Sequence, residues 1–331
     1  MSVWPVTHSL HYPSCWHGLA IAILRGLSTP KKLSTNPSPK ESIFVKRLWL
    51  FAMLAAICVQ SGSATQTGNS SDNGKLPIEE GAIPRDGFTL HYRTQGTGKP
   101  IVLLSGGPGL DIDYYLPVAK FFPPGYKLVF LEQRGTGRSR PEKLTAENIS
   151  IRLSIQDLEA LRSHLQLKRI ILAGHSYGGQ LAMAYAGAHP DHVDLLILID
   201  SSGATLDYER WFEDNLQTRK DDKGYFYDPS KIAVLPTLDG LHKDTFDLIN
   251  ADQEKGFDLT SQLARLRRPV LIIHGHQDPL GDKTAEDNHR LIKRSSLQYL
   301  SECGHFPWLE QPEEFRSILS DFLAKESPVA K

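Results

Sequence analysis

The sequence predicts an α/β domain with a doubly wound, mostly parallel central sheet and helices on both faces. Short continuous Val/Ile/Leu runs recur along the chain, and such runs are typical of strands covered on both faces. Amphipathic or Ala-rich helical segments separate these runs, so strand and helix alternate. Each run ends in Gly, Ser, Asp or His, and open α/β sheets place their ligand sites at that end of the strands.

The predicted domain extends over residues 81–326. Its first strand, "FTLHYRTQG", alternates polar and apolar residues, which predicts an edge strand. Helices are predicted in the three segments "ISIRLSIQDLEALRSHLQL", "GGQLAMAYAGAHP" and "EEFRSILSDFLAK". The buried strands are predicted, in order, in "PIVLLSGGPG", "KLVFLEQRGTG", "RIILAGHS", "VDLLILIDSSG", "RPVLIIHGHQD" and "LQYLS". Residues 204–266 contain no clear strand, which predicts a short helical insertion, a lid, at the carboxyl edge of the sheet.

Residues 1–64 form an N-terminal extension with a secretory signal-like segment at 46–64. Two basic residues there precede an apolar run and then small residues, which is the layout of a cleavable signal. This favours a secreted or periplasmic protein. The apolar run is shorter than the about 20 residues of a membrane helix, so no stable membrane span is expected in the mature form. Residues 65–80 are polar and rich in Gly, Ser and Asn, which predicts a flexible linker.

A signal that begins so far along the chain has other interpretations. Translation that starts near Val45 or Met53 would leave the upstream residues unused, and an uncleaved segment would anchor the protein in a membrane. Lipidation at Cys58 is less favoured, because Ile57 is a poor residue before a lipidated cysteine.

Composition excludes several classes of function. The chain of 331 residues has a formal net charge of -1, which gives no reason to expect a nucleic acid partner. Only Cys303 remains after residue 64, so the mature chain has no intramolecular disulfide. Zinc-type Cys/His spacing and a Walker loop are both absent from the sequence, and we expect no metal and no cofactor. The expected partner is a small-molecule or short-peptide substrate.

Ser176 is the predicted nucleophile. It lies in "GHSYGG", between the strand "RIILA" and the helix "GQLAMAYA", which is the context that a G-x-S-x-G turn requires. The turn is so sharp that bulky neighbours would collide, and Gly174 and Gly178 leave room for it.

A serine hydroxyl needs a base, and the base needs an orienting acid. Asp278 follows a buried strand and His305 follows the last strand, in the order serine, acid, histidine. Asp200, at the end of "LLILID", is the alternative acid. His274, His276 and His289 are weaker candidates for the base, and the His175 side chain should diverge from the Ser176 hydroxyl.

Acyl transfer also requires donors for the developing oxyanion. The Tyr177 N–H, directly after the nucleophile, is one predicted donor. The loop "SGGPG" supplies the other, with Gly107 favoured and Gly106 beside it.

These motifs together resemble the α/β-hydrolase superfamily and, more narrowly, the proline iminopeptidase family of serine peptidases. The resemblance rests on "SGGPG", "EQRGTGRS" and "GHSYGG", and it covers about residues 87–323 apart from the lid. It departs from the family at Ser105, where a histidine is usual, and at Glu132, where aspartate is usual. It implies an α/β-hydrolase fold and an aminopeptidase that releases an N-terminal residue through an acyl-enzyme.

The lid differs more from that family, whose larger lid supplies acids that bind the free amino terminus of the substrate. Glu209, Glu213 and Asp214 are the candidates here, with a solvated helix face as the alternative interpretation. Trp211 and Phe212 either line the substrate pocket or pack the lid onto the domain.

Two other functions remain open at this point. A carboxylesterase or lipase would use the same Ser-His-Asp triad, and a catalytically silent α/β-hydrolase-fold binding protein would have the same fold. A haloalkane dehalogenase or epoxide hydrolase would need an aspartate in place of Ser176. The "EQRGTGRS" stretch lacks the third glycine and the lysine of nucleotide-binding loops.

Overall fold

A computed structural model describes residues 77–218, 224–234 and 240–329 of the chain. The residues 1–64, with the signal-like segment 46–64, and residues 65–76 of the predicted linker lie outside this part.

One eight-stranded sheet organises the described residues, in the order β1-β2-β4-β3-β5-β6-β7-β8. The two pairs formed by β2 are antiparallel and every other pair is parallel. The strands are β1 Ile78–Arg85, β2 Phe88–Gly96, β3 Lys99–Leu104, β4 Tyr126–Leu131, β5 Ile170–His175, β6 Val193–Ile199, β7 Val270–Gly275 and β8 Ser295–Leu300.

Helices cover both faces of this sheet, as predicted. Leu172 and its neighbours on one face pack with α1 and α2, while Ile171 and its neighbours on the other pack with α8. The α-helices are α1 Ile151–His164, α2 Tyr177–Ala188, α3 Glu209–Thr218, α4 Lys243–Gln253, α5 Thr260–Leu263, α6 Asp282–Leu291, α7 Pro307–Glu310 and α8 Pro312–Glu326. Three 3-10 helices span Ile112–Phe121, Pro190–His192 and Pro229–Val234. None of the described helices combines the length and the apolarity that a membrane span requires.

The N-terminal edge differs from the prediction. β1 begins at Ile78, so residues 78–80, which were expected in the linker, belong to the sheet. β1 pairs with residues 88–95 of β2, which makes β1 the edge strand and β2 an interior one. The sequence does not indicate this strand, because most of its residues face solvent at the edge of the sheet and two of them, Glu79 and Glu80, are charged.

The segment between β6 and β7 contains α3, α4, α5 and a 3-10 helix, and no β-strand lies in its described part. It returns to the sheet edge at residues 240–242, where an isolated bridge joins Leu241 to Leu110. The Asp111 N–H donates to the Gly240 carbonyl at 3.0 Å, and the His242 N–H donates to the Gly109 carbonyl at 2.9 Å. The insertion is therefore tied to the loop that follows β3.

Candidate active site

Ser176 occupies a strained turn between β5 and α2. Its backbone has φ 55° and ψ −122°, a conformation that L-residues rarely adopt. A Cβ atom on Gly174 would overlap the Gly178 carbonyl, and one on Gly178 would overlap the Leu104 carbonyl. The two glycines of the motif are thus required by close backbone approach, and the turn holds Ser176 at the carboxyl edge of the sheet.

The backbone donors around Ser176 come from two places. Tyr177 is the first residue of α2, where the N–H has no partner within the helix. On the other side, a Cβ on Gly106 would lie 3.0 Å from the Ser176 Cβ, so the loop after β3 passes beside the serine. The Gly107 N–H makes no hydrogen bond to any described residue.

The expectation that Gly106 is a donor for the oxyanion is wrong. Its N–H donates to the Tyr114 hydroxyl at 2.6 Å, and this internal bond occupies the group. Tyr114 lies in the 3-10 helix after the loop, and nothing in the sequence indicates that its hydroxyl turns back toward Gly106.

His305 and Asp278 lie at hydrogen-bond distance. The His305 Nδ1 and the Asp278 Oδ2 are 2.8 Å apart, and Asp278 Oδ1 accepts from the Leu280 N–H at 2.8 Å. Burial raises the pKa of Asp278, but the charge and the hydrogen bond of His305 outweigh it, so that the pKa falls well below its usual range. The carboxylate is therefore ionised and oriented toward the imidazole.

Asp200, the alternative acid, has a different environment. It is fully buried at the end of β6, and its Oδ1 accepts from the Gly275 N–H at 2.8 Å. Burial, and then the charge of Asp278, raises the pKa of Asp200 well above its usual range. Asp200 is thus the protonated neighbour of Asp278.

The three weaker candidates for the base have other partners. His274 is buried, with its Nδ1 3.3 Å from Asp200. The His276 Nδ1 lies 2.9 Å from the Asp282 Oδ2, and the His289 Nδ1 lies 2.8 Å from the Ser295 hydroxyl.

The Ser176 and His305 side chains form no hydrogen bond with each other in the described residues. The ring of His175, directly before Ser176, lies 4.5 Å from the ring of His305 between centroids. Such a bond is often loose in a site without substrate, and it tightens when the substrate binds.

His175 joins two parts of this site, a link that the sequence did not indicate. Its Nδ1 lies 2.8 Å from the Tyr114 hydroxyl, and its Nε2 lies 2.8 Å from the His305 carbonyl. The side chain is 2% exposed. As expected, the His175 imidazole is directed to partners other than Ser176.

The "EQRGTGRS" stretch supports the loop after β3. The Gln133 side-chain amide donates to the Ser105 carbonyl and hydroxyl, both at 2.8 Å. Arg138 forms an ion pair with the buried Glu132, and Arg134 with the buried Asp157.

The lid residues lie on α3 and face two directions. The Trp211 indole N–H donates to the Leu280 carbonyl at 2.8 Å, and the ring lines a cavity of about 310 Å³ with Tyr208 and Asn288. The Phe212 ring lies 6.3 Å from the Tyr225 ring, which lies 5.3 Å from that of His305.

Glu209 and Glu213 are half-buried and one turn apart on α3, whereas Asp214 is exposed. Both glutamates have interaction partners.

Two clusters of described residues have the ligand types that bind metal ions: Glu159 with His189 and His192, and Asp200 with His274 and Asp278. In the first, the Glu159 carboxylate already accepts from Arg162 and from the Tyr185 hydroxyl. In the second, both Asp278 oxygens already accept hydrogen bonds. Neither cluster therefore offers a free set of ligands.

Comparison with known proteins defines the class of this fold and site. Residues 101–318 match the model of the "Alpha/beta hydrolase family", and the chain belongs to that family. Among curated relatives, the proline iminopeptidase of Saccharolobus solfataricus is 27% identical over 290 residues, which cover 75% of this chain and 93% of that protein.

Solved structures agree on the fold. The proline iminopeptidase-related protein from Thermus thermophilus has a TM-score of 0.65 at 22% identity, over 76% of this chain and 99% of that one. An esterase from Exiguobacterium antarcticum has a TM-score of 0.59 at 23% identity, over 72% and 97% of the two chains. The protein is thus an α/β hydrolase that resembles the proline iminopeptidases.

Proposed function

We propose that this α/β hydrolase is a serine aminopeptidase similar to the proline iminopeptidases, with Ser176 as nucleophile, His305 as base and Asp278 as orienting acid. The observation that carries the proposal is the 2.8 Å contact between His305 and Asp278, together with a serine on a strained turn at the carboxyl edge of the same sheet. The serine, acid, histidine order along the chain supports it as well.

The mechanism follows from these positions. The His305 Nε2 takes the proton of the Ser176 hydroxyl while Oγ forms a bond to the substrate carbonyl carbon. The Tyr177 and Gly107 N–H groups stabilise the oxyanion. His305 then gives the proton to the leaving amine as the C–N bond breaks. Water, deprotonated by His305, then attacks the acyl carbon. His305 gives this proton to Ser176 Oγ as the bond between Oγ and the acyl carbon breaks, which releases the acid and restores Ser176.

Asp278 acts through His305. It accepts a hydrogen bond from the His305 Nδ1–H, so Nε2 is the nitrogen free to take the serine proton. It also stabilises the imidazolium that forms during each step. Because Asp278 is ionised far below neutral pH, this role does not depend on its titration in the working range.

An esterase is the second candidate. The observation in its favour is the row of rings from Phe212 through Tyr225 to His305, which gives the site an apolar wall suited to an acyl chain. An aminopeptidase additionally needs an anionic group for the amino terminus, for which Glu209 and Glu213 are the candidates.

A paired assay on the purified full chain tests the proposal. We expect cleavage of a prolyl arylamide that disappears when its amino terminus is blocked. Ser176→Ala and His305→Ala should each lower kcat by roughly four orders of magnitude or more. Cleavage of an aryl ester without any arylamide cleavage would support the esterase instead. Activity that persists in Ser176→Ala would remove the serine mechanism.

A further inference from the structure

A buried row of hydrogen bonds runs from the loop after β3 to the loop that carries His305. The Gly106 N–H donates to the Tyr114 hydroxyl at 2.6 Å, and that hydroxyl lies 2.8 Å from the His175 Nδ1. The His175 Nε2 lies 2.8 Å from the His305 carbonyl. All four residues lie at the carboxyl edge of the sheet, and Ser176 directly follows His175.

Only one arrangement of protons satisfies every member of this row. A carbonyl oxygen can only accept, so the His175 Nε2 must carry a proton and donate it to His305. Burial, and then the charge of His305, lowers the pKa of His175 well below its usual range, so the ring is neutral. Its Nδ1 therefore accepts from the Tyr114 O–H, whose oxygen accepts from Gly106. Burial also raises the pKa of Tyr114, which keeps its proton.

We propose that Tyr114 and His175 are positioning residues that fix the candidate oxyanion loop, residues 105–109, relative to the backbone of His305. This inference rests on the proposed function of the same site. Fixing the Gly106 amide constrains the next peptide, which carries the Gly107 N–H. Fixing the His305 carbonyl constrains the residue whose imidazole serves as base. Both groups must be held near the geometry of the transition state for full activity.

A role in packing alone is the competing explanation, because His175 also contacts the rings of Phe306 and Trp308. The two roles predict different effects of a substitution. A packing residue affects the amount of folded protein and its melting temperature. A positioning residue affects kcat in the folded protein and leaves KM nearly unchanged.

Tyr115 provides a matched control for Tyr114. The two tyrosines are adjacent and almost fully buried, but the Tyr115 hydroxyl makes no hydrogen bond to a described residue. We expect Tyr114→Phe to lower kcat by roughly 10- to 100-fold, with KM within about threefold of the wild type. Tyr115→Phe should retain the wild-type kcat. Equal kcat values for the two variants would overturn the positioning role of Tyr114.

Three further variants separate the two halves of the row. A glutamine at position 175 keeps a donor at the position of Nε2, and an asparagine keeps an acceptor at the position of Nδ1. We expect His175→Gln and His175→Asn each to lower kcat. The kcat of the double variant Tyr114→Phe/His175→Gln should lie within about threefold of the kcat of the slower single variant, because both residues act through the same row of hydrogen bonds. Losses that multiply would show independent roles and contradict the inference.

The protonation of His175 provides a readout that does not require turnover. In ¹⁵N-histidine-labelled full-length protein, the signals lost in His175→Gln should be those of a neutral ring protonated at Nε2. They should stay so between about pH 5 and pH 8. A ring protonated at Nδ1, or charged at neutral pH, would overturn the row of bonds. If the NMR result holds but no Ser176-dependent hydrolysis exists, the proposed function fails, and the catalytic part of this inference fails with it.

Discussion

The carboxyl groups of Asp200 and Asp278 lie side by side at the ends of β6 and β7, with one oxygen of each within 4.8 Å of the other. Both residues are buried, and two carboxylates in such a site cannot both be ionised without a large cost. Burial and the neighbouring charge raise the pKa of Asp200, while His305 keeps Asp278 ionised. Asp200 is therefore the member of the pair that carries the proton, and Asp278 is the ionised member.

The first prediction compares amide substitutions at the two positions. Asn at 278 lacks the charge that stabilises the imidazolium, and its amide N–H can hold His305 in the wrong tautomer, so Asp278→Asn should lower kcat by roughly three to four orders of magnitude. An Asn at 200 resembles the protonated acid in shape and charge, so Asp200→Asn should retain kcat within about tenfold. Steady-state kinetics on both variants measure this. The opposite ranking would identify Asp200 as the orienting acid.

The second prediction concerns the pH dependence of stability. The folded-state pKa of Asp200 lies above its ordinary value of 3.8, so its contribution to stability is full below that value and is lost as pH rises. Asparagine does not titrate. The stability of Asp200→Asn relative to the wild type should therefore rise as pH increases above about 4, by at most about 1.4 kcal/mol per pH unit.

Urea unfolding at several pH values tests this prediction. Asp194→Asn serves as the control, because Asp194 is a half-exposed surface residue whose ion pair with Lys99 should contribute little. If the difference in unfolding free energy between Asp200→Asn and the wild type stays constant across this pH range, Asp200 is ionised in the folded protein.

The third prediction tests the turn at Ser176. A methyl group on Gly178 would overlap the Leu104 and Ser105 carbonyls, which are backbone atoms that cannot move aside. Gly178→Ala should lower stability by about 1–3 kcal/mol or more and reduce labelling of Ser176 by a fluorophosphonate. Gly87→Ala is the control for labelling, because position 87 has open space around it and an alanine there is strained only by its positive φ. An equal loss of Ser176 labelling at both positions would argue against a steric requirement at Gly178.

The fourth prediction concerns the attachment of α3. Trp211→Phe keeps an aromatic ring but removes the N–H that donates to the Leu280 carbonyl and the Thr284 hydroxyl. We expect a loss of about 1 kcal/mol in stability and faster proteolysis within the insertion. Lys283→Met removes an exposed ammonium above the same ring together with its exposed ion pair to Asp287, and it should have a smaller effect. A Trp211→Phe variant as resistant to protease as the wild type would contradict an anchoring role.

The fifth prediction separates a peptidase from an esterase through the acids of α3. If Glu209 or Glu213 binds a substrate amino terminus, its change to Gln should raise KM for a prolyl arylamide by roughly tenfold and leave ester hydrolysis unchanged. Asp214→Asn, on the exposed side of the same helix, should leave both unchanged. Parallel losses on both substrates would show that the glutamates support the fold of the insertion instead.

The sequence predicts the interior of this fold well, because buried parallel strands are continuous apolar runs with polar ends. The five strands from β3 to β7 coincide with such runs, and β2 and β8 coincide with the other two segments predicted as strands. β1 was missed since an edge strand buries little, and "IEEGAIPR" contains charges, a glycine and a proline. For the same reason β2 was wrongly expected at the edge, because its alternation reflects partial burial and not its place in the sheet.

For the site, the sequence predicts those residues that lie in a short motif or directly after a predicted strand. Ser176 and its flanking glycines belong to one short turn, and Asp278 and His305 each follow the end of a strand. Tyr114 and His175 could not be predicted in this way. Their hydrogen bonds join residues 61 and 130 positions apart, and the tyrosine lies in an ordinary 3-10 helix. Gly106 was misassigned for the same reason, since its donor is occupied by that tyrosine.

The ladder between residues 240–242 and the loop after β3 has a consequence for how such proteins diversify. The insertion cannot be exchanged independently of the rest of the domain, because Gly109 and Asp111 form hydrogen bonds with Gly240 and His242. A chimera that exchanges the whole segment between β6 and β7 would also remove the support of the neighbouring loop. The segment before residue 240 also contributes to the site, because the Tyr225 carbonyl accepts from the His305 N–H at 2.7 Å. Only an exchange confined to residues before 224 would keep both this contact and the bonds at residues 240–242.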